Sequence, residues 1–205
     1  MGAGLLPTAI HNNKLYFLFG KENKYEDTSP GWADFGGGTD NNESLVQTSI
    51  REGTEELTGF IGSSADIKKM IKKNGTYNID YVNPNKKYGM YRTHIIPYNY
   101  EPLLPYYYNN NQRFLQKKLD PKVIKSYRIF EKEEIKWVCI DDILKMKPKF
   151  RNFYQNIILM INQQKREIFD FINKSQSKTA KTRRFKKTKN LKKTLKTIKN
   201  DNKIK

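Results

Sequence analysis

Glu52, Glu55 and Glu56 stand at i, i+3 and i+4 within Gly36 to Phe60, GGGTDNNESLVQTSIREGTEELTGF. On a helix, that spacing stacks three carboxylates along one side. Like charges so placed repel one another, and a hard divalent ion held by carboxylate oxygens would relieve them; Mg²⁺ in such a site usually also touches substrate phosphates. Taken alone, E-x-x-E-E reads more readily as a solvated acidic face. The glycines ahead of it would let backbone groups come close to an ion or its phosphates. Ser44 followed by Gln47 is a capping-box pattern, which starts the helix near Ser44. From that start, Val46, Ile50 and Leu57 are expected on the core face, with Glu52, Glu55 and Glu56 opposite.

The same stretch resembles the signature of Nudix hydrolases, G-x5-E-x7-R-E-U-x-E-E-x-G-U, where U is bulky and apolar. Gly37, Glu43, Arg51, Glu52, Glu55 and Glu56 all stand at its spacing. Trp32 and Phe35 approach it as the residues ahead of a Nudix box do. Two positions depart: Gly53 replaces a bulky residue, and Leu57-Thr58 fill a single position, so Gly59 and Phe60 come one residue late. A glycine inside a helix costs about 1 kcal/mol relative to alanine.

The resemblance implies an α/β/α sandwich with a mixed sheet over residues 3–175, followed by a basic tail over 176–205. It implies attack by water on a diphosphate linkage with Mg²⁺ or Mn²⁺ as cofactor. In that reading Glu55 and Glu56 are the main metal ligands, Glu52 is a ligand or the general base, and the Gly37 carbonyl completes the shell. Arg51 orients the acidic cluster, and Glu43 braces the join between loop and helix. Many Nudix hydrolases carry a further glutamate ahead of an x-W strand. Here FEKEEIKWVCI offers Glu131, Glu133 and Glu134, with Glu133 or Glu134 favoured as an added catalytic group.

The formal charge of the 205-residue chain is +18. Lys178 to Lys205 holds 13 basic residues against Asp201 alone, or +12, and 18 less 12 leaves +6 for residues 1–177. Polyanions are the partners such a tail favours, nucleic acid before an acidic membrane surface. KTRRFKKTK (Lys181 to Lys189) is a patch for RNA or nuclear import, and Leu191, Leu195 and Ile198 would line one side of a basic amphipathic helix. The lone Cys139 admits no internal disulfide, which with the lack of a signal-peptide pattern suggests an intracellular protein, cytoplasmic or nuclear. No apolar run approaches the roughly 20 residues that cross a bilayer.

Nudix substrates include nucleoside triphosphates, dinucleoside polyphosphates, nucleotide sugars, inositol pyrophosphates and mRNA caps. The tail favours capped RNA, because contacts to many phosphates release many counterions. Inositol pyrophosphates and dinucleoside polyphosphates are the alternative, and a Nudix-like RNA-binding protein with weak or no turnover is the reading of another class, supported by Gly53 and the shifted Gly59.

Along the rest of the chain, KLYFLFG reads as a buried strand after a turn at His11 to Asn13. Residues 20–31 read as a polar loop and Ser64 to Lys73 as a short basic helix. Tyr77 to Val82 and Tyr88 to Tyr98 should form a hairpin. His94, on the second strand, could meet a substrate but is more often structural. Residues 99–120, with two prolines and Tyr106, Tyr107 and Tyr108, are expected to be a loop that either stacks on a base together with Arg113 or covers the core. A strand through Ile135 and Trp137, an N-cap at Asp141-Asp142, and one long helix from Phe150 to Asn173 complete the expectation.

Overall fold

The computed structural model describes residues 1–23, 30–84, 89–126 and 131–177. Lys178 to Lys205, with its patch and its amphipathic stripe, lies outside the described residues, as do Tyr88 and Phe130 at the starts of two expected strands. In chain order the elements are β1 (Gly2–His11), β2 (Lys14–Glu22), β3 (Trp32–Ala33), β4 (Phe35–Gly38), α1 (Leu45–Glu56) and α2 (Ser64–Asn74). There follow β5 (Tyr77–Val82), β6 (Met90–Pro97), α3 (Leu104–Lys118), α4 (Pro121–Ser126), β7 (Lys132–Cys139), α5 (Ile143–Met146) and α6 (Tyr154–Gln163). A last helix, α7, covers residues 165–177.

β1 is the centre of the sheet. Asn12 and Asn13, at φ 48° and 60°, turn it back onto β2, a left-handed pair that asparagine tolerates and a two-residue hairpin needs. One edge of β1 runs parallel to β6, while its start and end pair antiparallel with β4 and β2. β7 pairs with β2, and β5 with β6, so the seven-stranded sheet is mixed. Successive side chains point to opposite faces. Leu5, Ala9, Leu18 and Ile135 meet the core under α1, α2 and α3, whereas Leu6, Phe17, Phe19 and Ile79 meet α6 and α7. The expected α/β/α sandwich is the one found, with each fully buried Leu or Phe contributing about 1.5–3 kcal/mol.

Helix α1 begins as its capping box dictates: Ser44 Oγ accepts from the Gln47 amide, and the Gln47 side chain accepts from the Ser44 amide at 2.9 Å. Its roll is the reverse of the one expected from hydropathy. Thr48, Ser49, Glu52, Gly53 and Glu56 face inward, while Val46 and Ile50 are only half-buried beside α2; Leu57 alone of the expected apolar face is fully enclosed. The cause is Gly53. A Cβ there would lie 2.6 Å from Leu5 Cδ2, so the missing side chain lets α1 press against β1 and carries its glutamates toward the sheet. Gly53→Ala should therefore destabilise the fold by about 1–2 kcal/mol, because overpacking outweighs the gain in helix propensity. Urea denaturation checks this, and a more stable variant would contradict the close approach. The late Gly59 is equally local: Thr58 and Gly59 take φ 48° and 76° in succession, absorbing the extra residue after the helix has ended.

Two other expectations are corrected. Residues 104–118 form a helix and not a loop, with a proline in the first turn and Leu104, Tyr108 and Gln112 buried. Tyr108 belongs to the core, while Tyr106 and Tyr107 are exposed. The expected final helix is broken in two by a turn at Gln164, though Ile157, Ile161, Ile168 and Ile172 still bury one continuous stripe. His94 is buried in β6, where burial pulls its pKa down to about 4 and keeps the ring neutral, a structural placement.

Asp34, buried between β3 and β4, accepts hydrogen bonds from Tyr91 (2.7 Å) and Thr93 (2.8 Å). Burial pushes its pKa up to about 6 despite those bonds. The folded state then holds a proton that the unfolded state has released between about pH 4 and 6, so this group lowers stability as pH rises through that window. Asp34→Asn removes that part of the slope, which denaturation at pH 4.5 and 7 would measure. An unchanged slope would refute it.

Candidate active site

The reversed roll of α1 decides what surrounds the glutamates. Glu52 and Glu56, one turn apart on the buried face, sit with Glu131 from the approach to β7. One carboxylate oxygen from each lies within 4.8 Å of the others. Gly37 of β4 stands directly against the Glu52 carboxylate, close enough that a Cβ there would overlap it. Glu56 is 4% exposed, and its Oε2 has no hydrogen-bond partner among the described residues. An unsatisfied buried carboxylate oxygen costs on the order of 1–3 kcal/mol, more if charged. On a six-coordinate Mg²⁺, opposed oxygens are about 4.2 Å apart and adjacent ones about 3 Å, so the three carboxylates would close in on such an ion by side-chain rotation.

Arg51 ties the loop to the helix. Its Nε donates to Glu43 Oε1 at 2.9 Å, Nη1 to Glu52 Oε1 at 2.9 Å and to Glu55 Oε2 at 3.3 Å, and Nη2 to the Gly38 carbonyl at 3.1 Å. Its guanidinium holds the Glu43 carboxyl below its ordinary range. Arg51 thus links Glu43, ahead of the helix, to Glu52 within it. Glu55 is more than half exposed and lies outside the trio. Burial pushes Glu52 upward in pKa against the pull of Arg51, and pushes Glu56 much further against that of Lys132.

Lys132 is the residue that sequence reasoning missed. Completely buried, its Nζ bonds Glu22 and lies 3.0 Å from Glu56 Oε1. Burial works against the ammonium, but Glu56 and Glu22 outweigh it and raise its pKa. The Oε1 of Glu22 also accepts from Arg151 Nη1 at 3.0 Å. Above this chain of alternating charge, the Tyr108 hydroxyl is shared between the carbonyls of Glu56 (2.7 Å) and Lys132 (3.2 Å), locking α1, α3 and β7 together.

A register shift explains why Lys132 and not Glu133 reaches the site. Along β2, Gly20 faces Ile135 and Lys21 faces Glu134, but Glu22 faces Lys132. One residue of β7 is therefore skipped, and every side chain before that point changes face. Glu133 instead ion-pairs with Lys21 at 2.6 Å, and Glu134 lies opposite Lys21 in the ladder. Of the three glutamates ahead of Trp137, Glu131 is the one brought to Glu52 and Glu56. Lys132 alternates with Glu134 and Lys136 in the sequence and carries no sign of burial there.

No family model and no curated protein matches the chain. Among solved structures, it is similar to an Ap4A hydrolase of C. elegans at 19% identity, over 71% of this chain and 83% of that one, with a TM-score of 0.41. It is similar also to the Nudix hydrolase RenU of M. smegmatis (13% identity; 82% and 86% covered; TM-score 0.44). A mutT/nudix family protein of Listeria innocua matches at 16% identity, over 82% of this chain and 92% of that one, with a TM-score of 0.44. Similarity at this level decides nothing about the site, whose chemistry rests on the residues just described.

Proposed function

We propose that the chain is a divalent-metal-dependent hydrolase of diphosphate linkages in nucleoside-diphosphate-type substrates, and that its substrate is capped RNA. The observation that carries the first part is the Glu52–Glu56–Glu131 cluster, with the buried Glu56 Oε2 left without a partner. Glu52, Glu56 and Glu131 would hold the ion, with Gly37 alongside. When bound, Mg²⁺ or Mn²⁺ supplies neutralisation of phosphate oxygens and a more acidic water. The side chains do the rest: Arg51 keeps Glu52 Oε1 engaged, which leaves Oε2 as the atom to meet the ion. Tyr108 and Lys132 hold Glu56. Glu133, paired with Lys21, and Glu134, opposite Lys21 in the ladder, have no part in this cluster.

Capped RNA is favoured by the chain's charge. The catalytic body, residues 3–175, is followed by a tail whose Lys178 to Lys205 segment carries +12. Such a tail adds affinity for a long polyanion and almost none for a single nucleotide. Deleting Lys178 to Lys205 should leave hydrolysis of small dinucleotides within about twofold while weakening RNA binding and flattening its dependence on salt. Equal RNA affinity and an equal salt slope after the deletion would refute the role of the tail.

The direct test is cap-labelled RNA with Mn²⁺, wild type beside Glu56→Gln. Release of methylated guanosine diphosphate by the wild type alone is the expected result. If no release occurs, decapping is wrong, and inositol pyrophosphates and dinucleoside polyphosphates are the substrates to try with the same two proteins. If those substrates too are left intact while the wild type still binds RNA, a non-catalytic Nudix-like binder is the reading that remains.

A further inference from the structure

Four carboxylates, those of Glu22, Glu52, Glu56 and Glu131, converge beneath α1; Arg51 pairs with Glu52 at its edge, and Lys132 and Arg151 pair on the Glu22 side. Lys132 is the best enclosed of these cations, with its side chain wholly shielded from solvent. It occupies only one oxygen of Glu56, at 3.0 Å, and leaves Oε2 unpaired. The ammonium and the cluster thus share the Glu56 carboxylate, one of whose oxygens has no partner among the described residues.

We propose that Lys132 is a built-in counter-cation of the metal centre: it stands in for part of the metal's charge when the site is empty, presents one oxygen of Glu56 to an arriving ion, and lowers metal affinity by its own repulsion. This inference rests on the metal-site reading above. Its physical basis is that an ammonium and a divalent ion that share one carboxylate compete for the same charge, at short range and away from bulk water. A lysine that served only as a scaffold for Glu56 would act in the other direction, since losing it would loosen the ligand and weaken the metal.

The sign of the effect separates the two. Mn²⁺ affinity is measured on the full chain by electron paramagnetic resonance of free Mn²⁺, with the Mn²⁺-induced rise in melting temperature as a second readout. Neither requires turnover. Lys132→Met should bind Mn²⁺ about tenfold more tightly than wild type, and its melting temperature should rise more on adding the ion. Glu22→Gln, which frees the ammonium to act on Glu56 alone, should bind Mn²⁺ several-fold more weakly. Opposite signs support the counter-cation. Weaker or unchanged binding by Lys132→Met overturns it, and if that variant fails to fold even with Mn²⁺, unchanged or tighter binding by Glu22→Gln overturns it instead. Absence of Mn²⁺ binding by the wild type would be a different result, removing the metal site itself.

Discussion

Glu56→Gln should lower metal-dependent turnover about a thousandfold, or roughly 4 kcal/mol of transition-state stabilisation, with little change in stability. The two halves of that expectation have separate causes. Gln keeps the shape of the side chain, so Tyr108 still meets the residue's carbonyl, and Lys132 keeps Glu22 as its partner. With Glu22 still against it, the buried Lys132 ammonium is not left without a carboxylate when Glu56 loses its charge. What disappears is the charged oxygen facing Glu52 and Glu131. Steady-state kinetics in Mn²⁺ and thermal melts in EDTA check the two halves independently. Turnover within tenfold of wild type would remove Glu56 from the site, and a melting temperature lower by more than about 10 °C would reduce the kinetic loss to misfolding.

Lys132→Met should have the larger effect on the fold, a loss of about 3–5 kcal/mol of unfolding free energy in EDTA, because it strands buried carboxylates that shared one cation. Glu22 would keep only Arg151, and Glu56 would keep no cation among the described residues. Folded domains have about 5–15 kcal/mol in all, so the variant should stay folded but with a much lower urea midpoint. Saturating Mn²⁺ should restore part of the loss by binding only the native state. A midpoint that barely moves would show that the buried network contributes little to stability.

The order in which side chains reach the site separates what the chain states locally from what it leaves to assembly. Ser44 and Gln47 start α1, and the box places Glu52, Glu55 and Glu56 on it, because capping and helical spacing involve residues only three or four apart. The alternating apolar residues of β1 and β2, turned by Asn12-Asn13, were equally readable, and with them the layered sandwich. The roll of α1 was not. Hydropathy put Val46 and Ile50 inward, but the helix turns on Gly53 against Leu5, a contact between residues 48 apart that a helical wheel cannot contain. The proline-bearing run 104–118 looked like a loop until its buried face of Leu104, Tyr108 and Gln112 met β7 and α1. Nor could alternation choose among Glu131, Lys132, Glu133 and Glu134, since one skipped residue opposite Glu22 exchanges the two faces of β7.

The sequence by itself thus determined the helix and its carboxylate ladder, both products of short-range geometry, while the roles of Arg51 and Glu43 and the class of chemistry were implied by the resemblance. Only the tertiary structure decided which glutamates meet, that Glu131 joins them while Glu55 faces outward, and that a buried lysine pairs with Glu56. Those choices follow from register and close packing between distant strands and helices, where a shift of one residue or the absence of one Cβ outweighs any pattern the chain shows along its length.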